Sequence, residues 1–413
     1  MPDQKVLFVI PYMHEGGAQR ALSNIQKQVA ENEDIEIDTL LNSEINRAYP
    51  NSGGVFSLHI DKKPRTGSVL FQFIAFVKRV KKLRELKNSG QYSTCISFVD
   101  SANIANVIST VFGKKTRIKT IVSVRVSISE TAQKQAQYRY IVKPLAKAVY
   151  KKADLVVSVS EELKHELIRD FGLDEGKVTT IPNGFDLNDI IVQSEENIPD
   201  SIGERIKGKK VIFTAGRLHA VKNQWHLIRA FSAVKSKIPD SLLVIAGSGE
   251  LDSYLKSVAE NMGIADDVIF LGFEKNVYRY MRLADAFVLP SRCEGFPNSL
   301  GEALCSGAPC IATDFKTGAR EILAPDMLLN GEIIEKATEC EFGILTPVCS
   351  GRMYNGSEPL EHGETELAGA MIRMLDEDVL NAKYRDRSMQ RARELDIKFV
   401  IDKWISVIEK DKL

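Results

Sequence analysis

The sequence lacks several features that would identify common kinds of protein. It has no run of eighteen apolar residues, so we expect no transmembrane helix. The first residues, Met-Pro-Asp-Gln-Lys, lead directly into a strand-like apolar run, so no signal peptide is expected. The six cysteines lie at spacings that suit neither a zinc module nor a redox motif. We therefore expect reduced, partly buried cysteines in a cytoplasmic chain.

The chain also lacks net charge, but its charges are unevenly distributed. Residues 1–185 contain 27 lysines and arginines against 19 acidic residues, and the remainder contains 28 against 36. Between Ile60 and Lys152 there are 20 basic and only 4 acidic residues. Such a basic block indicates an anionic partner. Because no nucleic-acid-binding motif accompanies it, we expect an anionic membrane surface or substrate and no nucleic acid.

The 413 residues are too many for one ordinary hydrophobic core and predict two domains. In both halves, short apolar runs alternate with helical segments, which predicts two doubly wound α/β sheets of parallel strands. We place the first domain at residues 1–186, a polar linker at 187–208 and the second domain at 209–395. The amphipathic last segment, 396–413, is expected to pack as a helix on the first domain. Residues 348–363 contain few apolar side chains and predict a flexible surface insertion.

The most informative stretch, residues 285–302, reads DAFVLPSRCEGFPNSLGE. It begins with a short apolar run, Ala286–Leu289, which is typical of a buried strand. A loop follows, and then a helix for which Asn298 or Ser299 is the expected N-cap. The loop of such a unit opens at the carboxyl edge of a parallel sheet, where open α/β sheets bind ligands.

Two carboxylates flank the expected helix start. Glu302 has a purely structural interpretation, because Ser299 and Glu302 have the spacing of a capping box. Glu294 lies in the loop, close to the N–H groups of the helix start, which attract anions. A carboxylate there would repel a phosphate unless it binds the hydroxyls of a group attached to that phosphate. A sugar on a diphosphate is such a group.

The residues from Glu294 to Leu304 (EGFPNSLGEAL), followed by Gly-Ala-Pro at 307–309, resemble the E-x7-E signature of retaining GT-B glycosyltransferases of family 4. The resemblance implies two Rossmann-like domains facing across a cleft, the first binding the acceptor and the second binding the nucleotide sugar. It also implies that Glu294 holds hydroxyls of the donor sugar and that Glu302 holds the ribose. Further signature residues are expected in the donor site: Gly295, Phe296, Asn298 and Ser299.

A second pattern follows the predicted strand 210–215, where Gly216-Arg217-Leu218 precedes Lys222-Asn223. It is similar to the family's G-R-L…K-N pair, in which Arg and Lys hold the donor diphosphate, although a solvated loop pair is the alternative. Two cations can stabilise the leaving diphosphate without a metal. We find no Asp-x-Asp motif that would hold Mg²⁺ or Mn²⁺ as in metal-dependent transferases, and we predict no metal and no cofactor. The resemblance adds three donor-site residues: Gly249, Leu271 and Phe273. Lys316, Thr317 and Glu321 either line the same pocket or cap the next helix.

The opening βα unit places Gly16-Gly17 in the loop before the first predicted helix. In the family, such glycines let the backbone approach the donor phosphates and the acceptor, whereas a plain βα turn is the alternative. His14 either belongs to this site or is a solvated loop histidine. The sequence has no G-x-G-x-x-G, so a dinucleotide-binding fingerprint is excluded.

The acceptor side is expected in the basic block. Arg125 follows a predicted strand at a position where many relatives have a histidine, which leaves the base in doubt and suits an anionic acceptor. A helix predicted over 131–152 has one face of mixed aromatic and cationic residues: Tyr140, Lys143, Lys147 and Tyr150. A helix predicted over 68–88 adds six cations: Lys78, Arg79, Lys81, Lys82, Arg84 and Lys87. These faces suit a lipid headgroup interface and a lipid-diphosphate acceptor, or are a solvated basic surface.

These features predict a cytoplasmic enzyme that lies peripherally on the inner face of the cell membrane. It would move a hexose or N-acetylhexosamine, with retention and without a metal, from a UDP-linked sugar. The acceptor would be a polyprenyl-diphosphate-linked or surface-polysaccharide glycan. Two alternatives stay open: a soluble family member that glycosylates a small molecule, and a non-catalytic basic surface-binding protein of the same fold.

Overall fold

The computed structural model divides the chain into two compact units. One comprises Met1–Gly184 together with Ile397–Leu413, and the other comprises Phe185–Asp396. Each unit is built on its own seven-stranded sheet. The structure describes residues 4–14, 16–60, 69–111, 118–315, 317–327, 333–356 and 358–409.

The first unit is a parallel α/β sheet with helices between its strands. Its strands are β1 (Gln4–Val9), β2 (Ile35–Leu41), β3 (Gly54–Ser57), β4 (Thr94–Phe98), β5 (Lys119–Val124), β6 (Leu155–Ser158) and β7 (Val178–Thr180). Its helices are α1 (Gly17–Val29), α2 (Val69–Asn88), α3 (Asp100–Val111), α4 (Ile128–Lys134), α5 (Lys143–Val149) and α6 (Glu161–Phe171). The strand order is β3-β2-β1-β4-β5-β6-β7, and every neighbouring pair is parallel.

The apolar run in β1 explains why this strand lies in the middle of the sheet. Val6 and Phe8 pack in one core cluster, and Leu7 and Val9 pack in another cluster with residues of α2 and α3. Successive side chains of a strand point to opposite faces, so a strand covered on both faces needs a continuous apolar run. The sequence supplies one, and all four side chains are fully buried.

The second unit repeats the architecture of the first. Its strands are β8 (Lys210–Ala215), β9 (Ser241–Ala246), β10 (Val268–Gly272), β11 (Ala286–Leu289), β12 (Cys310–Thr313), β13 (Thr338–Glu339) and β14 (Ile344–Thr346). Their order is β10-β9-β8-β11-β12-β14-β13, parallel except where β13 pairs antiparallel with β14. Its helices are α7 (Leu187–Ser194), α8 (Asp200–Ile206), α9 (Gln224–Lys237), α10 (Asp252–Asn261), α11 (Tyr278–Leu283), α12 (Asn298–Cys305), α13 (Ala319–Leu323), α14 (His362–Asp376) and α15 (Asp378–Glu394).

The last helix, α16 (Ile397–Glu409), returns to the first unit. Its apolar face, which includes Val400 and Trp404, packs in the same core cluster as Phe8 and Phe98. The Trp404 ring stacks on Phe98 with ring centroids 5.8 Å apart. None of the helices in the described part of the chain, in either unit, is long and apolar enough to cross a membrane.

The segment predicted as a polar linker, residues 187–208, folds into α7 and α8 and belongs to the second unit. The Asp186 side chain caps α7 by accepting the backbone N–H of Asp189. Leu187 and Ile190 are buried, and α7 packs against α11 and α12. The sequence prediction was wrong because a few apolar residues in a polar stretch were enough to anchor one capped helix.

The single helix predicted over 131–152 is interrupted. After α4, a π-helical turn spans Tyr138–Val142 before α5, and a 3₁₀ turn, Tyr150–Lys152, ends the segment. A π turn changes the angular phase of everything that follows it, so faces assigned from a regular 3.6-residue period do not survive. Ile141 is accordingly exposed, whereas Tyr150 is fully buried.

The residues predicted as a flexible insertion, 348–363, are instead tied to the second unit. Trp225 Nε1 donates to the Arg352 carbonyl at 2.8 Å, and Tyr254 Oη donates to the Tyr354 carbonyl at 2.7 Å. Arg229 donates to the carbonyls of Glu358 and Pro359. The segment needs few apolar residues because backbone carbonyls make much of the attachment, and the Tyr354 ring adds to it by packing 4.3 Å from the Arg229 guanidinium carbon.

Candidate active site

The residues predicted to bind the donor lie at a change of direction in the second sheet. From β8 the chain adds β9 and β10 on one side, and then β11 and β12 on the other. Open α/β sheets bind ligands at such a switch point, beyond the carboxyl ends of the strands. Gly216, Arg217 and Lys222 follow β8, and Glu294 follows β11, so the sequence motifs flank this switch point.

Lys222 and Glu294 form an ion pair across the switch point. The side chains are 20% and 16% exposed, respectively. Ser291 Oγ donates a second hydrogen bond to the same Glu294 carboxylate at 2.8 Å. The Thr317 hydroxyl donates to the Glu294 backbone carbonyl and thereby ties the loop to the segment after β12. Two residues assigned to different parts of the donor thus meet in one partly buried cluster.

Arg217 lies in the same loop between β8 and α9 as Lys222 but has a different environment. It is exposed, and its side chain makes no hydrogen bond or ion pair among the described residues. Its backbone carbonyl accepts from Gln224 Nε2 at 3.0 Å, which fixes the loop. The guanidinium can therefore reach a ligand without first breaking an internal contact.

The glycines around this cluster let the loops after β8 and β9 approach each other closely. A Cβ at Gly247, whose φ is 144°, would overlap the Gly216 carbonyl oxygen, and a Cβ at Gly249 would overlap the Leu218 carbonyl. Leu271, in the adjoining strand β10, is half-buried, and Phe273, directly after that strand, is 61% exposed. Any larger residue at Gly247 or Gly249 would push the β8 and β9 loops apart.

The helix after Glu294 does not begin as a capping box. Pro297 is the N-cap residue of α12, and no side chain caps it. Asn298 is the first helical residue, and the buried Ser299 Oγ has no hydrogen-bond partner among the described residues. The expected Asn298 or Ser299 N-cap is therefore wrong, because the chain enters the helix directly from the proline. The structural interpretation of Glu302 as a capping-box partner loses its basis.

Glu302 and the rest of the signature lie in the buried part of α12. Glu302 is only 4% exposed. The pKa of the Cys305 thiol is raised, mainly because the thiol is buried and in smaller part because the Glu302 charge is nearby. Gly295 and Phe296 are also buried. Gly301, between them and Glu302, lies so close to the Phe185 ring that any Cβ would overlap it. The signature thus combines a buried carboxylate with a helix that must pack closely.

The glycine loop of the first unit is placed at the equivalent switch point, after β1. Gly16 is the N-cap residue of α1, and Gly17 is its first residue. His14 is half-buried and stacks on Tyr12, with ring centroids 5.0 Å apart. Glu15, between His14 and Gly16, and Lys316 of the second unit lie outside the described residues.

Arg125 lies at the carboxyl end of β5 and is buried among neutral groups. It donates to the side chains of Asn183 and Ser123, and its guanidinium carbon lies 5.4 Å from the centre of the Phe98 ring. Burial lowers the pKa of Arg125 to about 9. A cation held without a carboxylate among the described residues is consistent with the expectation of an anionic acceptor.

The structure separates residues that were predicted to share an acceptor-side face. Tyr140 is 71% exposed and Lys147 is also exposed, whereas Lys143 is half-buried. Tyr150 is fully buried, and its hydroxyl donates to Asp100 at 3.3 Å. Placing Tyr150 on the exposed face was wrong, because the π turn shifts the helical phase.

Two cations assigned to the exposed basic face of α2 are in fact buried. Arg79 is 4% exposed and Lys87 is 3% exposed. Lys87 Nζ donates to the Asn106 side chain at 2.7 Å and to its carbonyl at 2.9 Å. Sequence analysis missed the burial of these two residues because the cations of α2 between residues 78 and 87 were grouped by charge. The side of the helix on which each one lies was not considered.

One group of potential metal ligands occurs in the described part of the second unit. Ligand atoms of His226, Cys349 and Glu361 lie within 4.8 Å of one another. His226 Nδ1 is 2.7 Å from Glu364, and its Nε2 accepts the Gly351 N–H at 3.2 Å. Both ring nitrogens are engaged within the protein, so the histidine serves to attach the 348–363 segment to α9.

Family models match both halves of the chain. The model described as Glycosyltransferase Family 4 matches residues 72–189, and the model described as Glycosyl transferases group 1 matches residues 196–341. The chain belongs to this glycosyltransferase family, and the GT-B fold predicted from the E-x7-E signature is confirmed.

Individual relatives extend the similarity over most of the chain. An uncharacterized glycosyltransferase of Methanocaldococcus jannaschii is 30% identical over 81% of this chain and 83% of its own length. The N-acetylgalactosamine-N,N'-diacetylbacillosaminyl-diphospho-undecaprenol 4-alpha-N-acetylgalactosaminyltransferase of Campylobacter jejuni is 27% identical over 95% of this chain and 96% of its own. Similar solved structures include sucrose-phosphate synthase of Thermosynechococcus elongatus, with a TM-score of 0.77, 16% identity and 98% of each chain covered. HepE of Anabaena in complex with UDP has a TM-score of 0.71 and 19% identity, covering 98% of this chain and 100% of its own.

Proposed function

We propose that this glycosyltransferase moves a hexose or N-acetylhexosamine from a UDP-linked sugar to a lipid-linked or surface-polysaccharide acceptor, with retention and without a metal. The observation that carries the proposal is the group of residues at the switch point of the second sheet: the Lys222–Glu294 ion pair, and the exposed Arg217 in the same loop as Lys222. It combines two cations for a diphosphate with a carboxylate for sugar hydroxyls.

The cations would act on the leaving group. When the bond between the anomeric carbon and the phosphate oxygen breaks, negative charge develops on the nucleoside diphosphate. A guanidinium and an ammonium placed beside that oxygen stabilise this charge in a partly buried site. Arg217 is free to turn toward the ligand, and Lys222 is already oriented by Glu294. No divalent cation is needed for this step.

Glu294 would position the donor sugar. Its carboxylate oxygens would accept hydrogen bonds from sugar hydroxyls. The hydrogen bonds that Ser291 and Thr317 donate to Glu294 hold its loop in place. The acceptor hydroxyl would attack the anomeric carbon from the face that the phosphate leaves. Its proton would pass to the departing phosphate oxygen, so that atoms and charge balance without a separate protein base.

The acceptor class is supported by relatives and by the cations of the first unit. The Campylobacter jejuni relative is named for a diphospho-undecaprenol acceptor. An Escherichia coli relative, 32% identical over 38% of this chain, is named for a galactosyl transfer to GlcNAc-diphosphoundecaprenol. Buried Arg125 and the excess of basic residues in the first unit suit the same anionic class.

Peripheral binding to the inner face of the cytoplasmic membrane is part of the proposal. Phe73 and Ile74 of α2 are 63% and 46% exposed, and Tyr140 and Ile141 of the π turn are also exposed. Gln137 Nε2 donates to Gln72 Oε1 at 3.0 Å, which links the two elements. Exposed apolar side chains among lysines suit a membrane of anionic lipids.

A thermal-shift panel of nucleotide sugars, followed by transfer assays with the stabilising donor, tests the donor assignment. UDP-sugars come first because UDP is bound in the HepE structures. Stabilisation only by guanosine- or adenosine-linked sugars would contradict the UDP assignment. Flotation with vesicles of anionic lipid tests the membrane assignment. Turnover of a small sugar acceptor without any vesicle binding would favour a family member that acts on small molecules.

A further inference from the structure

A cavity of about 370 Å³ lies at the carboxyl edge of the first sheet, beside the β1–α1 loop. Its volume is in the range of small-molecule sites. Polar groups come mainly from the strand ends: Tyr12, His14, Asn42 and Ser43. Apolar walls come from α2 and neighbouring loops: Ile45, Ile60, Phe71, Ala75 and Phe76. The cavity therefore offers both polar and apolar side chains to a ligand.

Arg79 lines this cavity although it is 96% buried, since only 4% of the residue is exposed. Its Nε and Nη2 donate to Asn42 Oδ1 at 3.2 and 3.0 Å. Its Nη1 donates to the Ser101 carbonyl at 2.9 Å and contacts the Ser101 hydroxyl at 3.3 Å. All of these partners are neutral, and no carboxylate among the described residues pairs with the guanidinium.

The contacts of Arg79 leave its charge and one of its donors unused. A guanidinium has five N–H groups, and four are accounted for by Asn42 and Ser101, which leaves one on Nη2. Burial lowers the pKa of Arg79 to about 10, so the group remains protonated at neutral pH. Buried cations normally have an anionic partner, because desolvation of an unpaired charge is unfavourable. Within the described residues the protein does not supply that partner.

We propose that this cavity binds the phosphate of a lipid-linked acceptor together with the first aliphatic carbons attached to it. The inference rests on the proposed function, since it assigns the acceptor class. A phosphate oxygen would take the remaining Nη2 donor and neutralise Arg79, and the aliphatic carbons would lie between Phe71, Phe76 and Ala75. The sugar end would then extend toward Tyr12 and His14 of the β1–α1 loop.

The occupant must carry both an anion and an apolar group. A free inorganic diphosphate would satisfy Arg79 but would leave the walls formed by Phe71, Phe76 and Ile60 in contact with water. A neutral isoprenoid alcohol would cover those walls but would leave the buried charge unpaired. The donor diphosphate does not need this cavity, because Arg217 and Lys222 are assigned to it in the second unit. The two-part chemistry therefore selects a phosphate that carries an aliphatic chain, and the diphospho-undecaprenol in the name of the Campylobacter jejuni relative favours an isoprenyl chain.

Titration calorimetry with the full chain tests the proposal, using farnesyl diphosphate below its micelle concentration as the probe. Binding is expected to be at least tenfold tighter than that of farnesol or inorganic diphosphate. Arg79→Gln should weaken farnesyl diphosphate binding at least tenfold, because Gln retains a donor but not the charge. Arg169→Gln is the matched control, because Arg169 is on α6 of the same unit and its side chain is 68% exposed. This variant should bind farnesyl diphosphate with wild-type affinity.

A second variant tests the apolar half without disturbing the cation. Ala75→Leu adds bulk to the cavity wall and leaves the contacts of Arg79 intact, so it should also reduce binding at least tenfold with a native melting curve. This variant keeps the proposal testable if Arg79→Gln does not fold. Unchanged affinity in Ala75→Leu, or in a folded Arg79→Gln, would overturn the assignment. So would equal binding by farnesol, or by a short-chain phosphatidylglycerol, which would indicate a membrane-lipid site.

The same samples distinguish this inference from the proposed function. UDP affinity is assigned to residues of the second unit, so UDP should bind Arg79→Gln and Ala75→Leu as tightly as it binds the wild type. A protein that binds UDP-sugars but not farnesyl diphosphate would disprove the acceptor cavity and leave the donor assignment intact. A protein that binds farnesyl diphosphate but no nucleotide sugar would support the acceptor cavity and contradict the donor assignment.

Discussion

At the scale of single residues, substitution of Arg217 or Lys222 is expected to lower the rate of transfer and to leave the fold intact. Arg217→Ala and Lys222→Ala each remove a charge-assisted contact to the leaving diphosphate. Each loss is worth about 2–4 kcal/mol in the transition state, or roughly 30- to 1,000-fold in rate. Steady-state transfer assays with the donor found in the thermal-shift panel measure the effect. Near wild-type turnover in both variants would remove the diphosphate role.

Glu294 and Glu302 should differ in what their loss affects. Glu294→Gln should impair sugar transfer while free nucleoside diphosphate still binds normally, because the side chain is assigned to the sugar. Glu302→Gln should weaken the nucleoside diphosphate itself, because the carboxylate is assigned to the ribose. Calorimetric titration with UDP and melting curves of both variants separate these effects.

The outcome for Glu302 also decides between two roles. The α12 N-terminus has no side-chain cap, so a purely structural Glu302 cannot act through a capping box. Unchanged UDP affinity in Glu302→Gln would nevertheless return the residue to a packing role. Unchanged transfer in Glu294→Gln would leave only a nucleotide site at the switch point.

Asp100 is expected to make stability depend on pH. It accepts hydrogen bonds from Tyr138 at 3.1 Å and Tyr150 at 3.3 Å, yet burial raises its pKa from 3.8 to about 6. The folded state keeps the proton to a higher pH than the unfolded state. Its stabilising contribution is therefore complete below about pH 4 and is lost as the pH rises through 6.

Comparison with Asp100→Asn isolates this effect, because the amide cannot ionise. Relative to the variant, the wild-type free energy of unfolding should fall by about 2–3 kcal/mol between pH 4 and pH 7. Urea unfolding at several pH values measures both proteins. A difference that stays constant across this range would show that Asp100 titrates alike in the folded and unfolded states.

At the scale of elements, close packing of α12 depends on a residue without a side chain. A Cβ at Gly301 would overlap the Phe185 ring. Gly301→Ala should therefore destabilise the protein by about 1–3 kcal/mol through overpacking. Gly369 of α14 is the matched control, since a Cβ there would meet nothing within 4 Å. Gly369→Ala should stabilise the protein by up to about 1 kcal/mol through helix propensity, and thermal melting measures both.

The elements also show where sequence patterns were sufficient. The apolar run Ala286–Leu289 correctly predicted β11, and Gly307 and Pro309 correctly predicted the end of α12. These signals act within a few residues. The N-cap was misplaced because Pro297 enters the helix without a capping side chain. Tyr150 was assigned to an exposed face because the π turn at Tyr138–Val142 was not predicted. Signals that act within a few residues predicted the elements correctly. A helical face extrapolated over many residues was not predicted correctly, because one irregular turn shifts it.

At the scale of the whole molecule, activity is expected to be independent of divalent metal ions. Arg217 and Lys222 supply positive charge where a metal would otherwise be needed. Transfer should therefore persist in excess EDTA with an unchanged rate. Complete loss of activity that Mn²⁺ restores would contradict the cationic site as the means of stabilising the leaving group.

The chain by itself determined the alternation of strands and helices, the motifs at the strand ends, and the excess of basic residues in its first half. These depend on residue type and on spacing over a few positions. Tertiary structure alone decided that Arg79 is buried beside a cavity while Phe73 is exposed, although both are in α2. It also decided that Trp404, near the end of the chain, completes the core of the first unit. Charge and periodicity can be read along the chain, but which face of a helix meets another element is settled only by what packs against it.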